Sequence, residues 1–186
     1  MNGLTKQQEH LPASRQENHD LQQRYGNRSA FLRTFNPDLQ LKICMNSEEC
    51  FFGDYPTLAH INRSYGEMSA AMWLVPQLYD LSEYSGCKGN MSQRQYEQCA
   101  SVIATEFSYL KVSEIMLFFV RFKSGRYGRF YGNVDPLVIT TSIRVFLTER
   151  MYELDIHEQK ERQEQRELEM KDAVSREEHE PGDYKY

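Results

Sequence analysis

Four cations and four flat rings fall within one stretch of fifteen residues. Arg121, Lys123, Arg126 and Arg129 are interleaved with Phe122, Tyr127, Phe130 and Tyr131, and no acid appears until Asp135. Cations neutralise phosphates, and aromatic faces stack on unpaired bases, so this pairing of types is the one used to hold single-stranded nucleic acid. Gly125, Gly128 and Gly132 punctuate the run and permit positive φ and a close backbone approach. Arg and Tyr also anchor protein interfaces, so the same residues could dock a protein partner. A third reading is structural: the rings fold back as a lid on the helices and the glycines shape a tight turn. The candidate binding residues are therefore Arg121, Lys123, Arg126, Tyr127, Arg129, Phe130 and Tyr131.

Other reactive side chains form weaker patterns. His157-Glu158 begins like the H-E-x-x-H zinc motif, but the fifth position is Glu161, so the second ligand is missing. Cys44, Cys50, Cys87 and Cys99 contain no C-x-x-C pair, and free, half-buried thiols are the expectation. Cys44 and Cys50 with His60 give a conceivable zinc set whose spacing fits no known finger. Asp54, Glu67, Asp80 and Glu83 are expected on solvated helix faces. No nucleophile elbow or phosphate-binding glycine loop is present. The sequence thus points to no catalytic residue, cofactor or metal site, and to a protein that is not an enzyme.

The elements that must position the loop read as helices. Asn36-Pro37-Asp38 looks like a helix start. Ser47-Glu48-Glu49 looks like a second, with acids where the helix dipole prefers them. Leu58, Ile61 and Tyr65 share one face of a helix over residues 57–65 that Gly66 ends. Met68, Ala71, Met72, Val75, Leu78 and Tyr79 keep helical spacing, with a kink or local end expected near Val75 because of Pro76. Ser92 with Gln95 forms a capping-box pattern for a helix to about Leu110. Ser113 is the next expected cap, opening the apolar run 115–122; Gly125 sits where a helix C-cap would, although a strand hairpin remains the alternative. Asp135-Pro136 restarts a helix whose apolar face runs through Ile139, Ile143, Phe146 and Leu154. Beyond it, Glu158–Arg162 and Lys160–Glu164 pairs support an exposed helix.

These elements predict an all-α fold: a single compact helical domain over residues 36–155 with a Gly/aromatic inter-helix loop. Residues 1–35 are expected to be a mostly disordered tail, with Phe31, Leu32 and Phe35 the first to touch the core. Residues 156–186 are expected to be a charged helical extension that frays. The chain of 186 residues carries a net charge of -5, yet residues 149–186 hold thirteen acids against seven bases. Residues 1–148 hold fourteen acids against fifteen bases, so the acidity belongs to the C-terminal segment and does not exclude nucleic acid. No apolar run reaches membrane-spanning length, and no basic-then-apolar leader opens the sequence, so a cytoplasmic protein is expected. Three N-x-S sequons carry no weight in that setting.

Four segments stand out together: Pro56-Thr57-Leu58, Tyr65-Gly66, residues 73–81 (Trp-Leu-Val-Pro-Gln-Leu-Tyr-Asp-Leu), and Lys111-Val112-Ser113-Glu114 through Phe130-Tyr131-Gly132. They resemble an uncharacterised family of Bacteroidetes genomes and their mobile elements. The resemblance covers roughly residues 50–150 and implies a small cytoplasmic protein of unknown activity. A helix, a glycine-aromatic turn and a helix reaching Glu149-Arg150 is more loosely similar to small phage replication accessory proteins. The expected function is that of a non-enzymatic accessory protein associated with single-stranded DNA. A protein-interaction module that binds no nucleic acid is the alternative.

Overall fold

The computed structural model describes residues 21–179, and side chains as far as residue 172. The tail expected over residues 1–20 and the terminus from 180 onward lie outside the described residues. The fold is all-α. Its helices are α1 (Arg28–Thr34), α2 (Gln40–Ile43), α3 (Ser47–Phe52), α4 (Leu58–Tyr65), α5 (Ser69–Ser85), α6 (Gln93–Glu106), α7 (Val112–Lys123) and α8 (Pro136–His179), with a 3₁₀ turn over Pro37–Leu39. Among the described residues the only β pairings are isolated bridges. The chain divides into two compact units, residues 1–144 and 145–186.

Local chemistry sets most boundaries. Ser92 and Gln95 form the reciprocal capping box, with the Ser92 N–H donating to Gln95 Oε1 at 2.8 Å. Thr57 caps α4 through the His60 N–H, and Gly66, at φ 100°, ends it. One start falls where the sequence places it, at Ser47, and two differ. The cap of α3 is Asn46, one residue before Ser47, because its amide oxygen reaches the Glu48 N–H at 3.0 Å. Asn36 makes no side-chain cap bond, and Pro37 opens a 3₁₀ turn. α7 starts from Lys111, whose N–H donates to Glu114 Oε2 at 2.8 Å. Ser113 is instead buried inside the helix, where its hydroxyl donates to the Cys50 carbonyl at 2.8 Å.

Two helices carry the core of the first unit. In α7, Val112 to Phe119 are all buried, which is why the run shows no clear period: a helix apolar all round is enclosed all round. α5 packs against α4, α6 and α7. It passes through Pro76 without ending, so of the kink or local end expected near Val75 the local end does not occur. Pro76 removes the donor to the Met72 carbonyl, but both residues sit on the exposed face of α5, where solvent can satisfy that carbonyl. The buried face of α5 is tied to the N-terminal segment. Trp73 Nε1 and Gln77 Nε2 both donate to the Phe35 carbonyl at 2.8 Å, and Gln40 Nε2 donates to Gln77 Oε1 at 2.6 Å. Order accordingly reaches earlier than residue 36: residues 21–25 are helical, α1 follows, and Phe31 and Phe35 are fully enclosed. Few large apolar residues suffice there, because Tyr25, Phe31, Phe35 and Tyr65 meet edge-on or tilted at 4.9 to 5.7 Å.

Candidate nucleic-acid interface

The stretch from Arg121 to Asp135 links α7 to α8, and both of its ends are fixed. At the first, the Arg126 N–H donates to the Arg121 carbonyl at 3.1 Å and the Gly125 N–H to the Phe122 carbonyl at 2.9 Å. This pair of bonds, with Gly125 at φ 84°, is a Schellman closure of α7. At the second, Asp135 Oδ1 accepts the Leu137 N–H at 2.8 Å, and Pro136 occupies the first helical position. Between them, the backbone is pinned to the segment before α6. The Gly89 N–H donates to the Gly132 carbonyl at 3.3 Å, and the Gly89 carbonyl accepts the Val134 N–H at 2.9 Å. A β-carbon at Gly89 would lie 1.9 Å from Asn133 Oδ1, so the Asn133 amide would have to swing aside to admit one. Gly89 thus positions the loop through a long-range pairing that no local sequence pattern marks.

The seven candidate side chains fall into two groups. Tyr127 stacks on Phe118 with centroids 5.5 Å apart and planes at 19°, and Phe130 stacks on Phe122 at 5.2 Å and 28°. Phe118 and Phe122 are buried, so both loop rings are half-buried extensions of the core. Arg121 lies over the Phe51 ring, its guanidinium carbon 5.5 Å from the centroid. Lys123 ion-pairs with Asp80, donates to Gln40 Oε1 at 2.8 Å and lies 5.7 Å from the Tyr84 ring. Its side chain is largely buried in that cluster. The remaining three, Arg126, Arg129 and Tyr131, are exposed. Tyr131 is 81% exposed and carries the Arg129 guanidinium over its face at 5.5 Å. The stretch thus presents two cations and one open ring on a base of two stacked pairs.

Thiol chemistry is separate from this surface. Cys44 hydrogen-bonds Cys50, which raises the Cys44 pKa and lowers that of Cys50; burial adds to the first shift, and the nearby Arg121 favours both thiolates. No group of three His, Cys, Asp or Glu side chains that could hold a metal comes together among the described residues, so Cys44, Cys50 and His60 form no such set. His157 instead faces Glu161 across one helical turn at 3.6 Å.

The loop, the capping box before it and the long helix after it all fall in one recognisable segment. Residues 90–180 match the model of a family of unknown function, DUF6633. The matched segment takes in α6, α7, the whole Arg121–Asp135 stretch and α8. It agrees with the resemblance to an uncharacterised family, and it carries no activity, ligand or source organism. No curated protein and no solved structure matches the chain. No helix among the described residues is long and apolar enough to cross a membrane.

Proposed function

We propose that this protein is a binding protein, without catalysis of its own, that contacts single-stranded nucleic acid through Arg126, Arg129 and Tyr131. The observation that carries the reading is the division of the stretch. Its inner rings and cations are committed to the fold, whereas two arginines and one open ring face outward from a pinned backbone. A preordered cation pair beside a stacking ring contacts phosphate and base together at a low ordering cost. The resemblance to a family of mobile elements extends the reading to a cytoplasmic accessory role in replication or maintenance of such an element.

A protein-interaction role is favoured by a different observation: α8 exposes Met151, Tyr152 and Ile156 on its second unit. Fluorescence anisotropy with a labelled oligothymidine at low salt distinguishes the two. Binding by the full chain, abolished in Arg126→Ala/Arg129→Ala, is the expected result. No measurable binding at low salt would refute the nucleic-acid reading, and partners that survive nuclease in a pull-down would then support the interaction module.

A further inference from the structure

The outward residues of the loop have a complement elsewhere on the same unit. On the exposed side of α5, two grooves of about 690 and 520 Å³ share Val75, Tyr79 and Tyr96. The Tyr79 and Tyr96 rings lie 5.9 Å apart and are inclined at 51°. Glu97 lines the first groove, Asp38 and Glu83 line the second, and all three carboxylates are exposed. Among the described residues, no Lys, Arg or His lines either groove. Asp80, a further lining acid, is already paired with Lys123. Tyr96, although 7% exposed, has a buried hydroxyl with no hydrogen-bond partner, an unmet polar group that an incoming donor could satisfy after a small side-chain shift. Carboxylates beside tilted tyrosine faces suit a guanidinium, which can ion-pair and stack at once.

We propose that the acidic tyrosine groove of one copy receives Arg129 and Tyr131 from the loop of a second copy. The pairing is complementary in charge and in aromatic character. The anchors of the loop, Tyr127 and Phe130 stacked on Phe118 and Phe122 and Gly132 bonded to Gly89, leave Arg129 and Tyr131 exposed for a second copy. Each copy carries both patches, so the contact closes as a reciprocal two-fold dimer if each loop reaches the other's groove, and otherwise runs head-to-tail into rings or chains. Nucleic acid and the groove then compete for the same arginine, and the groove acts as an internal substitute for the polyanion.

Sedimentation velocity of the full chain tests this contact without nucleic acid present. The wild type should self-associate with concentration at low salt and dissociate at high salt. Arg126→Glu/Arg129→Glu and Glu83→Lys/Glu97→Lys should each weaken self-association by at least about tenfold, since each sets like charge against like. Mixing the two variants should restore assembly, because each then supplies the patch that the other needs. Circular dichroism checks the fold, and the milder Arg129→Gln and Glu97→Gln should give smaller losses in the same direction. A wild type that stays monomeric at low salt and high concentration overturns the proposal, whether or not it binds oligothymidine. Association that persists in both swapped variants overturns it too, by assigning the contact to another surface.

Discussion

Lys123 and Arg129 stand six residues apart in one basic run, yet they have different surroundings. Lys123 holds Asp80 and Gln40 in a largely enclosed cluster, while Arg129 lies on an open tyrosine ring. Removing the Lys123 ammonium leaves a partly buried carboxylate without its partner. Lys123→Ala should therefore lower unfolding stability by about 1–3 kcal/mol in urea titrations while leaving oligothymidine affinity at low salt nearly unchanged. Tyr131→Ala should do the reverse. It should cost about 1–3 kcal/mol of binding, the worth of one stacked base, with little effect on the unfolding midpoint. Sequence order alone could not separate these roles. Both residues are cations flanked by rings, and what divides them is Asp80, more than forty positions away in the chain.

At the scale of elements, the loop owes its shape to two closures that were legible and one that was not. Gly125 and Asp135-Pro136 carry their signals locally, because a helix end leaves unpaired backbone groups that only certain residues satisfy. Gly125→Ala should destabilise the fold by about 1 kcal/mol, the cost of a β-carbon at φ 84°. Asp135→Ala should cost about 1 kcal/mol through loss of the bond to the Leu137 N–H. The third closure, Gly89 against Gly132 and Val134, joins segments some forty residues apart and has no local signature. The same limit explains the misplaced cap of α7. Lys111 was passed over for Ser113 because Ser is the stronger local cap, whereas the Ser113 hydroxyl is held by the Cys50 carbonyl of α3. The local end weighed at Pro76 beside a kink does not occur, since its exposed setting, which lets solvent satisfy the freed carbonyl, is a property of the fold.

Across the whole molecule, burial of ionisable groups gives the folded state a characteristic weakness in alkali. Cys99 sits in the core face of α6, and burial pushes its thiol from 9.0 up to about 12. Tyr25, Tyr55 and Tyr65 are likewise raised, first by burial. A group whose folded pKa is raised stabilises the fold fully below its unfolded pKa and loses that contribution as pH rises through the folded value. For Cys99 the loss falls between pH 9 and about pH 12. The urea midpoint at about pH 10.5 should therefore lie below that at about pH 8. The all-α class and the long charged helix were both legible, because periodicity and charge pairing are local. The contact of Phe31 and Phe35 with the core was legible as well, whereas the helical turn at residues 21–25 that sets Tyr25 against them was not, since it depends on an aromatic cluster assembled from separate segments.

The salt dependence of oligothymidine binding tests the central claim most directly. Two phosphate contacts, from Arg126 and Arg129, predict that log K falls against log salt with a slope of about -1.4, and that the double alanine variant shows no binding to titrate. A slope near -2.8 would mean that Arg121 and Lys123 also reach phosphate, contradicting their commitment to the fold. Binding that is absent at low salt, or unchanged in the double variant, would contradict the account of the loop as a nucleic-acid surface.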